Sequence, residues 1–295
     1  MSNLVFYIVD VFAESKYAGN QLAVFRGGQA LSTQEMQLIA REINFSETTF
    51  IMSETTRDGG YDVRIFTPKA EVPFAGHPTL GTTHIIMSEI LHGQADKVAL
   101  NLKAGQIPVS LSTGEEGKGN YWMKQIEPTF GKQFTPAVIA PILGLGAAEI
   151  DARFPIEEVS TGLPFIITPL KTLAALKRAK VAKDAYFELV KDTWAKGILI
   201  FAPQPHEAQN DLSVRVFVDY FGVPEDPATG SGNGCLAGYL VQQRYFGQPS
   251  IDVRSEQGYE IDRPSLLFLR AEEKDGKINI WVGGKAITVS RGEFV

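Results

Sequence analysis

The sequence contains one cysteine among its 295 residues, carries a net charge of −6, and has no long apolar run. One cysteine cannot form an internal disulfide, which is typical of a reducing cytoplasm, so we expect a cytoplasmic protein. A net negative charge argues against a nucleic-acid-binding surface, which is normally basic. No apolar run approaches the roughly 18–20 residues that span a bilayer, and the N-terminus shows no secretion signal. We therefore expect neither nucleic acid nor membrane as a partner.

The sequence also lacks the motifs of metal and nucleotide sites. Its four histidines, His77, His84, His92 and His206, show no zinc-ligand spacing and have no cysteine partners. The segment Gly230–Gly234 resembles a phosphate loop, but it lacks the Gly-Lys-Ser/Thr ending and the third glycine of a dinucleotide-binding fingerprint. No Gly-Xaa-Ser-Xaa-Gly motif surrounds Ser231, so a serine-nucleophile elbow is not supported. The prediction is an enzyme or binding protein without metal or cofactor.

Two glycine-rich turns, each running into an apolar helix, lie about half the chain length apart. The first turn is Val72–Thr79, followed by a helical pattern over Leu80–Leu91, and the second is Val223–Gly232, followed by Cys235–Phe246. This arrangement predicts a duplicated architecture with two equivalent, buried central helices. Because a helix start offers unpaired N–H groups and a positive dipole end, two facing starts at Gly76 and Gly230 would form an anion pocket. The predicted functional site is the cleft between the two halves.

Helices mixed with hairpin-linked strands favour an α+β fold with largely antiparallel sheets. The apolar spacing predicts a helix over Thr33–Ile43, capped by Ser32 or Thr33, and a mainly helical segment over Leu173–Val190. The last strand is predicted to be short, over Ala286–Val289. The glycine-rich, charged segment Thr113–Asn120 is predicted to be a surface loop at the domain junction. We therefore place an N-terminal domain at 1–118, joined by the last strand at about 284–295, and a C-terminal domain at 119–283.

Three titratable residues beside these turns are candidates for acid–base chemistry. Glu47 precedes an apolar strand, where burial would raise the pKa of its carboxyl group towards neutrality. His77 lies where the first central helix begins, so the helix dipole would favour a neutral ring. Asp226 precedes Pro227 in the turn before the second helix. From the residues alone, structural roles stay open, since Glu47 could cap a turn, His77 could be satisfied at the helix start, and Asp226 could form an Asx turn.

Several motifs together resemble the PhzF-like (phenazine biosynthesis) isomerase family. They run in the family's order over nearly the whole chain: Asp10-Val11-Phe12, Gly19-Asn20, Asn44–Thr48, Phe66-Thr67-Pro68, Pro73–Thr79, Glu225–Gly232 and Gly283-Gly284. The resemblance implies the diaminopimelate epimerase fold. In that fold two similar domains each curl a mainly antiparallel, barrel-like sheet around a central helix.

The resemblance also implies roles for individual residues. Glu47 matches the family's proton-shuttling glutamate, and His77 and Asp226 match its assisting polar residues. The positions that match the family's carboxylate-binding turns are Gly76, Gly230 and Ser231. Diaminopimelate epimerases use two facing cysteines at positions that correspond to Ala75 and Thr229, so a two-thiol racemase is excluded. A homodimer is expected.

The resulting hypothesis is a cofactor-independent isomerase of a small carboxylated metabolite, with Glu47 as general acid and base. Two alternatives stay open. One is a racemase that uses Glu47 and Asp226 as a two-base pair, and the other is a non-catalytic protein that binds a small anion.

Overall fold

The computed structural model describes residues 4–113 and 118–295. These residues divide into two units, the first formed by the described residues up to Lys124 together with Gly283–Val295, and the second by Gln125–Val282. Of the predicted loop Thr113–Asn120, residues 114–117 lie outside the described residues. Within the described ranges, no helix is long and apolar enough to cross a bilayer.

The helices and strands follow one another in a mixed order. The strands, in chain order, are β1 (Leu4–Val11), β2 (Asn20–Arg26), β3 (Glu47–Ile51), β4 (Tyr61–Phe66), β5 (Glu71–Val72), β6 (Lys97–Leu102), β7 (Gly105–Leu111), β8 (Tyr121–Lys124), β9 (Thr129–Phe134), β10 (Ile156–Ser160), β11 (Pro164–Pro169), β12 (Gly197–Ala202), β13 (Leu212–Val218), β14 (Val223–Asp226), β15 (Ser250–Gln257), β16 (Ser265–Lys274), β17 (Lys277–Gly284) and β18 (Ala286–Phe294). The helices are α1 (Thr33–Ile43), α2 (Gly76–Ile85), α3 (Pro136–Ile142), α4 (Leu173–Arg178), α5 (Lys183–Lys191) and α6 (Gly230–Gln242). A π-helical turn over Ile86–Ile90 continues α2.

The two units repeat one sequence of strand pairings. In the first unit β2 and β3 are parallel, β3 pairs antiparallel with β4, and β4 pairs antiparallel with β5. After α2 the chain returns as β6, parallel to β4, and turns back as β7. The second unit repeats each step with β11, β12, β13, β14, α6, β15 and β16. The predicted α+β fold with duplicated domains is confirmed.

A buried central helix packs against the sheet of each unit. In α2, nine of the ten residues from Gly76 to Ile85 are buried, and the helix contacts strands β1, β2 and β3. In α6, every residue from Gly230 to Val241 except Ser231 is buried, and the helix contacts β10, β11, β15 and β16. A helix that is buried on all sides needs apolar or small residues around its whole circumference, which explains the sequence pattern.

A second layer of helices covers the opposite face of each sheet. In the first unit, Ser32 caps the start of α1. Its side chain accepts a hydrogen bond from the amide of Glu35, and its own amide donates to the Glu35 carboxylate. This capping box confirms the predicted helix start. Met36 and Ala40 of α1 form an apolar cluster with Phe50 of β3 and its neighbours. The sheet is therefore buried on both faces, and α1 fixes the outer face of β3.

The segment Leu173–Val190, predicted to be mainly helical, is broken between α4 and α5. The guanidinium Nη1 of Arg215, from β13, donates to the carbonyls of Leu176 and Ala179 at 2.9 and 2.8 Å. The amide of Ala182 donates to the carbonyl of Ile142 at 2.7 Å instead of continuing the helix. Tertiary partners therefore take the hydrogen bonds that one long helix would need.

Two further boundaries differ from the sequence prediction. The last strand, predicted to span Ala286–Val289, extends as β18 to Phe294, because β1 pairs with it along almost its whole length. The second central helix begins at Gly230 and ends at Gln242, whereas the prediction was Cys235–Phe246. Its first turn is made of glycine, serine and asparagine. These residues are weak helix formers, so the apolar pattern in the sequence did not indicate a helix there.

Candidate active site in the first unit

The strand β3 points the Glu47 side chain towards the central helix α2. Side chains alternate between the two faces of a strand. Phe50 packs with the α1 cluster, whereas the hydroxyl of Thr82 in α2 donates to the hydroxyl of Thr49 at 2.8 Å. Glu47 is two residues before Thr49 and therefore shares the face that looks towards α2. The position of Glu47 opposite Leu22 of β2 fixes its register.

His77, the second residue of α2, meets this carboxylate. The distance between His77 Nε2 and Glu47 Oε2 is 3.4 Å. The His77 side chain is only 7% exposed, whereas that of Glu47 is 19% exposed. His77 Nε2 has no hydrogen bond that meets the usual geometric limits, so the pair is in contact without being well aligned. Glu47 is thus the member of the pair that a small molecule can reach.

Burial holds the His77 ring in its neutral form. Desolvation lowers the pKa of His77 to about 3, and a hydrogen bond to the backbone of Gln21 opposes this shift only in part. Because Nε2 makes no hydrogen bond, we assign the Gln21 contact to Nδ1–H. The lone pair of Nε2 then faces Glu47. The Glu47 carboxyl group can then exchange a proton with a bound molecule while the imidazole stays neutral, which is the requirement for general acid–base chemistry.

The desolvated histidines His77 and His84 predict a loss of stability in mild acid. The folded-state pKa is about 3 for His77 and about 4 for His84, against an ordinary value of 6.5. Between these values the unfolded chain binds protons that the folded chain does not, so stability falls as the pH drops below 6.5. Each histidine contributes a slope of up to ~1.4 kcal/mol per pH unit. Urea unfolding of the wild type and of His84→Gln, from about pH 6.5 to about pH 5, measures this slope. An equal slope in both proteins would contradict the assignment.

In the second unit, Asp226 lies in a densely hydrogen-bonded turn. It ends β14, is 9% exposed, and its Oδ2 accepts a hydrogen bond from Thr229 Oγ1 at 2.5 Å. The backbone carbonyl of Asp226 accepts a hydrogen bond from Gln257 Nε2 at 2.7 Å. The Thr229 hydroxyl group therefore fixes the carboxylate of Asp226, and the Gln257 side chain from β15 fixes its backbone.

Both central helices begin with a glycine and without a capping side chain. Ala75 precedes Gly76 and Thr229 precedes Gly230, and neither provides a side-chain hydrogen bond to the first turn. The first N–H groups of a helix have no intrahelical acceptor, so these turns can bind an anion. Ser231, partly exposed at the start of α6, adds a hydroxyl group. These are the positions predicted to hold a substrate carboxylate.

The remaining candidates for reactive or metal-binding groups are in unreactive settings. Cys235 is buried in α6, where desolvation raises the pKa of its thiol to about 12, so it is an apolar core residue. Across residues 4–113 and 118–295, no group of three or more His, Cys, Asp or Glu side chains is arranged to hold a metal ion. The sequence reasoning did not identify Gln21 or Gln257, whose contacts with His77 and Asp226 arise from the fold, with no local motif to indicate them.

Solved structures of other proteins share this fold. The structure of a Bacillus anthracis phenazine biosynthesis protein of the PhzF family matches with a TM-score of 0.91 and 26% identity, over 100% of both chains. A probable proline racemase from Agrobacterium radiobacter matches with a TM-score of 0.64 over 99% of this chain and 93% of that one, at 10% identity. The second likeness concerns the fold alone.

Sequence relationships give the family. The sequence model of the phenazine biosynthesis-like proteins (PhzC-PhzF) matches residues 9–292. The trans-2,3-dihydro-3-hydroxyanthranilate isomerase of Pseudomonas aeruginosa is 33% identical over 290 residues, which cover 97% of this chain and 98% of that protein. The chain belongs to the phenazine biosynthesis-like family, as the sequence motifs predicted, and it is an isomerase.

Proposed function

We propose that this isomerase removes a proton from a small carboxylated substrate and returns it elsewhere on the molecule, with Glu47 as general base and then general acid. The observation that supports this proposal is the contact between the partly exposed Glu47 carboxylate and the buried, neutral His77 ring. A base that must also act as an acid needs a partner that does not trap the proton. A ring whose pKa is about 3 has little tendency to hold the proton as a full positive charge.

The other candidate residues take binding and stabilising roles in this proposal. Proton removal next to an activating group leaves negative charge on the substrate, and N–H groups at uncapped helix starts stabilise such charge. Gly76, Gly230 and the hydroxyl of Ser231 bind the substrate carboxylate or the developing charge. Asp226 assists as a polar residue whose carboxylate is held in place by Thr229.

The substrate class is proposed from the chemistry of the relative. The Pseudomonas aeruginosa relative is named for trans-2,3-dihydro-3-hydroxyanthranilate, a ring carboxylate with an amino and a hydroxyl group. We propose a substrate of this class, an unsaturated carboxylate in which a C–H bond is acidified by the neighbouring double bonds. No cofactor is required for such a proton transfer.

Turnover in D₂O tests this function and separates it from its alternatives. The purified protein is incubated with trans-2,3-dihydro-3-hydroxyanthranilate and then with a panel of other carboxylates, and the products are followed by NMR. A new regioisomer supports the proposal. Deuterium exchange without a net change of structure would favour the two-base racemase with Glu47 and Asp226. An absence of both reactions on all compounds would contradict the proposed substrate class.

Sulfate binding tests the role assigned to the start of α6. We expect Ser231→Ala to weaken sulfate binding by roughly tenfold or more, because a hydrogen bond to a charged group contributes about 1.5–3 kcal/mol. Isothermal titration calorimetry measures the affinity. The control is Ser250→Ala, which changes an exposed serine at the start of β15. This variant should bind sulfate like the wild type. Equal binding by Ser231→Ala and the wild type would place the anion elsewhere.

Two expectations from the sequence are also proposals here, a homodimer and a cytoplasmic location. Light scattering at several protein concentrations measures the first. Microscopy of a fluorescently tagged chain in the source cell measures the second.

A further inference from the structure

Three consecutive polar residues at the end of β15 are buried. Ser255, Glu256 and Gln257 are 0%, 1% and 1% exposed. Buried polar groups are stabilising only when their hydrogen bonds are made, so each residue needs specific partners. Ser255 Oγ donates to Asn233 Oδ1 of α6 at 2.7 Å, whereas Glu256 accepts hydrogen bonds from the amides of His206 and Glu207. Gln257 has a different set of partners, which lie in the turn that carries Asp226.

The side-chain amide of Gln257 uses its full hydrogen-bonding capacity within the second unit. Its Nε2 donates to the carbonyl of Asp226 at 2.7 Å and to Thr229 Oγ1 at 3.0 Å. Its Oε1 accepts from the amide of Thr229 at 3.1 Å and from Asn233 Nδ2 at 2.8 Å. A glutamine side chain has two N–H donors and one oxygen with two lone pairs. All four are engaged, so Gln257 has no capacity left to bind a substrate directly.

These contacts set the direction of the Thr229 hydroxyl group. The hydroxyl oxygen accepts a hydrogen bond from Gln257 Nε2, and its own hydrogen is donated to Asp226 Oδ2 at 2.5 Å. One hydroxyl hydrogen cannot serve two acceptors equally, so the donor group of Gln257 leaves that hydrogen for Asp226. Through Asn233, the same amide is joined to the first turn of α6. One side chain thus connects the carboxylate and the helix start.

We propose that Gln257 is a positioning residue for the isomerase reaction, holding the Asp226 carboxylate and the start of α6 in their working geometry. This inference rests on the proposed function, because it takes Asp226 and the Gly230–Ser231 turn as parts of the site. Gln257 acts through Asp226 and Thr229 and does not contact the reacting atoms. Its removal should lower kcat more than it raises KM, because a small displacement of a catalytic group costs roughly 10- to 100-fold in rate.

Gln257→Glu provides a readout that a merely structural role would not move. An ionised carboxylate at this position offers no donor to Thr229 Oγ1, so the hydroxyl hydrogen turns towards it and away from Asp226. When that carboxyl group is protonated at lower pH, it regains one O–H donor and resembles the amide. The ratio of variant to wild-type kcat should therefore be lowest near about pH 8 and rise several-fold towards about pH 5. Gln257→Leu, which cannot regain a donor, should show a low ratio at every pH.

The experiment compares kcat, KM and thermal unfolding across pH for both variants, with Ser255→Ala as the matched control on the same strand. Ser255→Ala loses one buried hydrogen bond to Asn233 and keeps those of Gln257, so it should be less stable but should retain the wild-type pH profile. A folded Gln257→Glu with wild-type kcat and a constant ratio would overturn the inference.

Glu47→Gln in the same assay reports separately on the proposed function. If Glu47→Gln stays active, the proposed function fails. The pH dependence of the ratio of Gln257→Glu to wild-type kcat still tests the role of Gln257, on any turnover that is observed.

Discussion

Glu47→Gln is expected to lower kcat by roughly 10²- to 10⁴-fold, the usual cost of losing a general acid–base group. The amide has nearly the shape of the carboxyl group but cannot take up a proton near neutral pH. The side chain is partly exposed at the first residue of β3, so the substitution should leave the fold intact. Steady-state kinetics, with the substrate that the D₂O experiment identifies, measures the loss of activity. Circular dichroism measures whether the fold is intact.

Glu54→Gln is the matched control for this change. Glu54 lies in the same unit, is 53% exposed, and pairs with Arg26 on the surface. An exposed ion pair contributes little to stability, and Glu54 has no role in the proposed reaction, so activity should be unchanged. If Glu47→Gln retains more than about a tenth of the wild-type activity, a loss much smaller than expected for this class of residue, Glu47 is not the base.

Gly258→Ala is expected to destabilise the second unit by about 3 kcal/mol. Gly258 has φ +80°, a conformation that costs an L residue roughly 1–2 kcal/mol. An added Cβ would also lie 2.3 Å from the carbonyl oxygen of Arg263 and 2.6 Å from that of Pro227. Both are backbone atoms, and that of Pro227 cannot move without displacing the turn beside Asp226. Such overpacking typically costs about 1–3 kcal/mol. Chemical unfolding measures the loss.

Gly276→Ala separates the backbone cost from the steric cost. Gly276 has a similar φ of +73°, but an added Cβ would meet nothing within 4 Å. This control should therefore lose only about 1–2 kcal/mol. Equal losses in the two variants would show that the crowding around Gly258 is relieved at no cost. A folded Gly258→Ala should also lose activity, because Pro227 follows Asp226 directly.

Local patterns predicted the parts of the fold that local interactions determine. The Ser32 cap and the amphipathic spacing gave the bounds of α1. The break between α4 and α5 could not be predicted in this way, because it depends on Arg215, which lies far along the chain. The length of β18 depends on its pairing with β1 at the other end of the sequence.

The candidate site shows the same division. The motifs at Glu47 and His77 indicated two residues that the fold brings within 3.4 Å of each other. The residues that form hydrogen bonds with His77 and Asp226 belong to no recognisable motif. Gln21 contributes a backbone atom to His77, and Gln257 reaches Asp226 from a strand that follows α6. Such contacts join distant segments, so a single sequence gives no signal for them.

The repeated pairings have an evolutionary consequence. If an ancestral half was duplicated within one gene, β3 and β12 descend from the same strand, because each is the parallel partner that follows the outer helices. That strand begins with Glu47 in β3 and with Gly197 in β12. A Cβ at Gly197 would lie 2.7 Å from the Phe165 ring, so the second copy has closed this position to any side chain, an acid included. The first half therefore has an acid at the start of this strand, whereas the second half has a glycine packed against the Phe165 ring. An engineer who wished to restore symmetry would have to change Phe165 before Gly197.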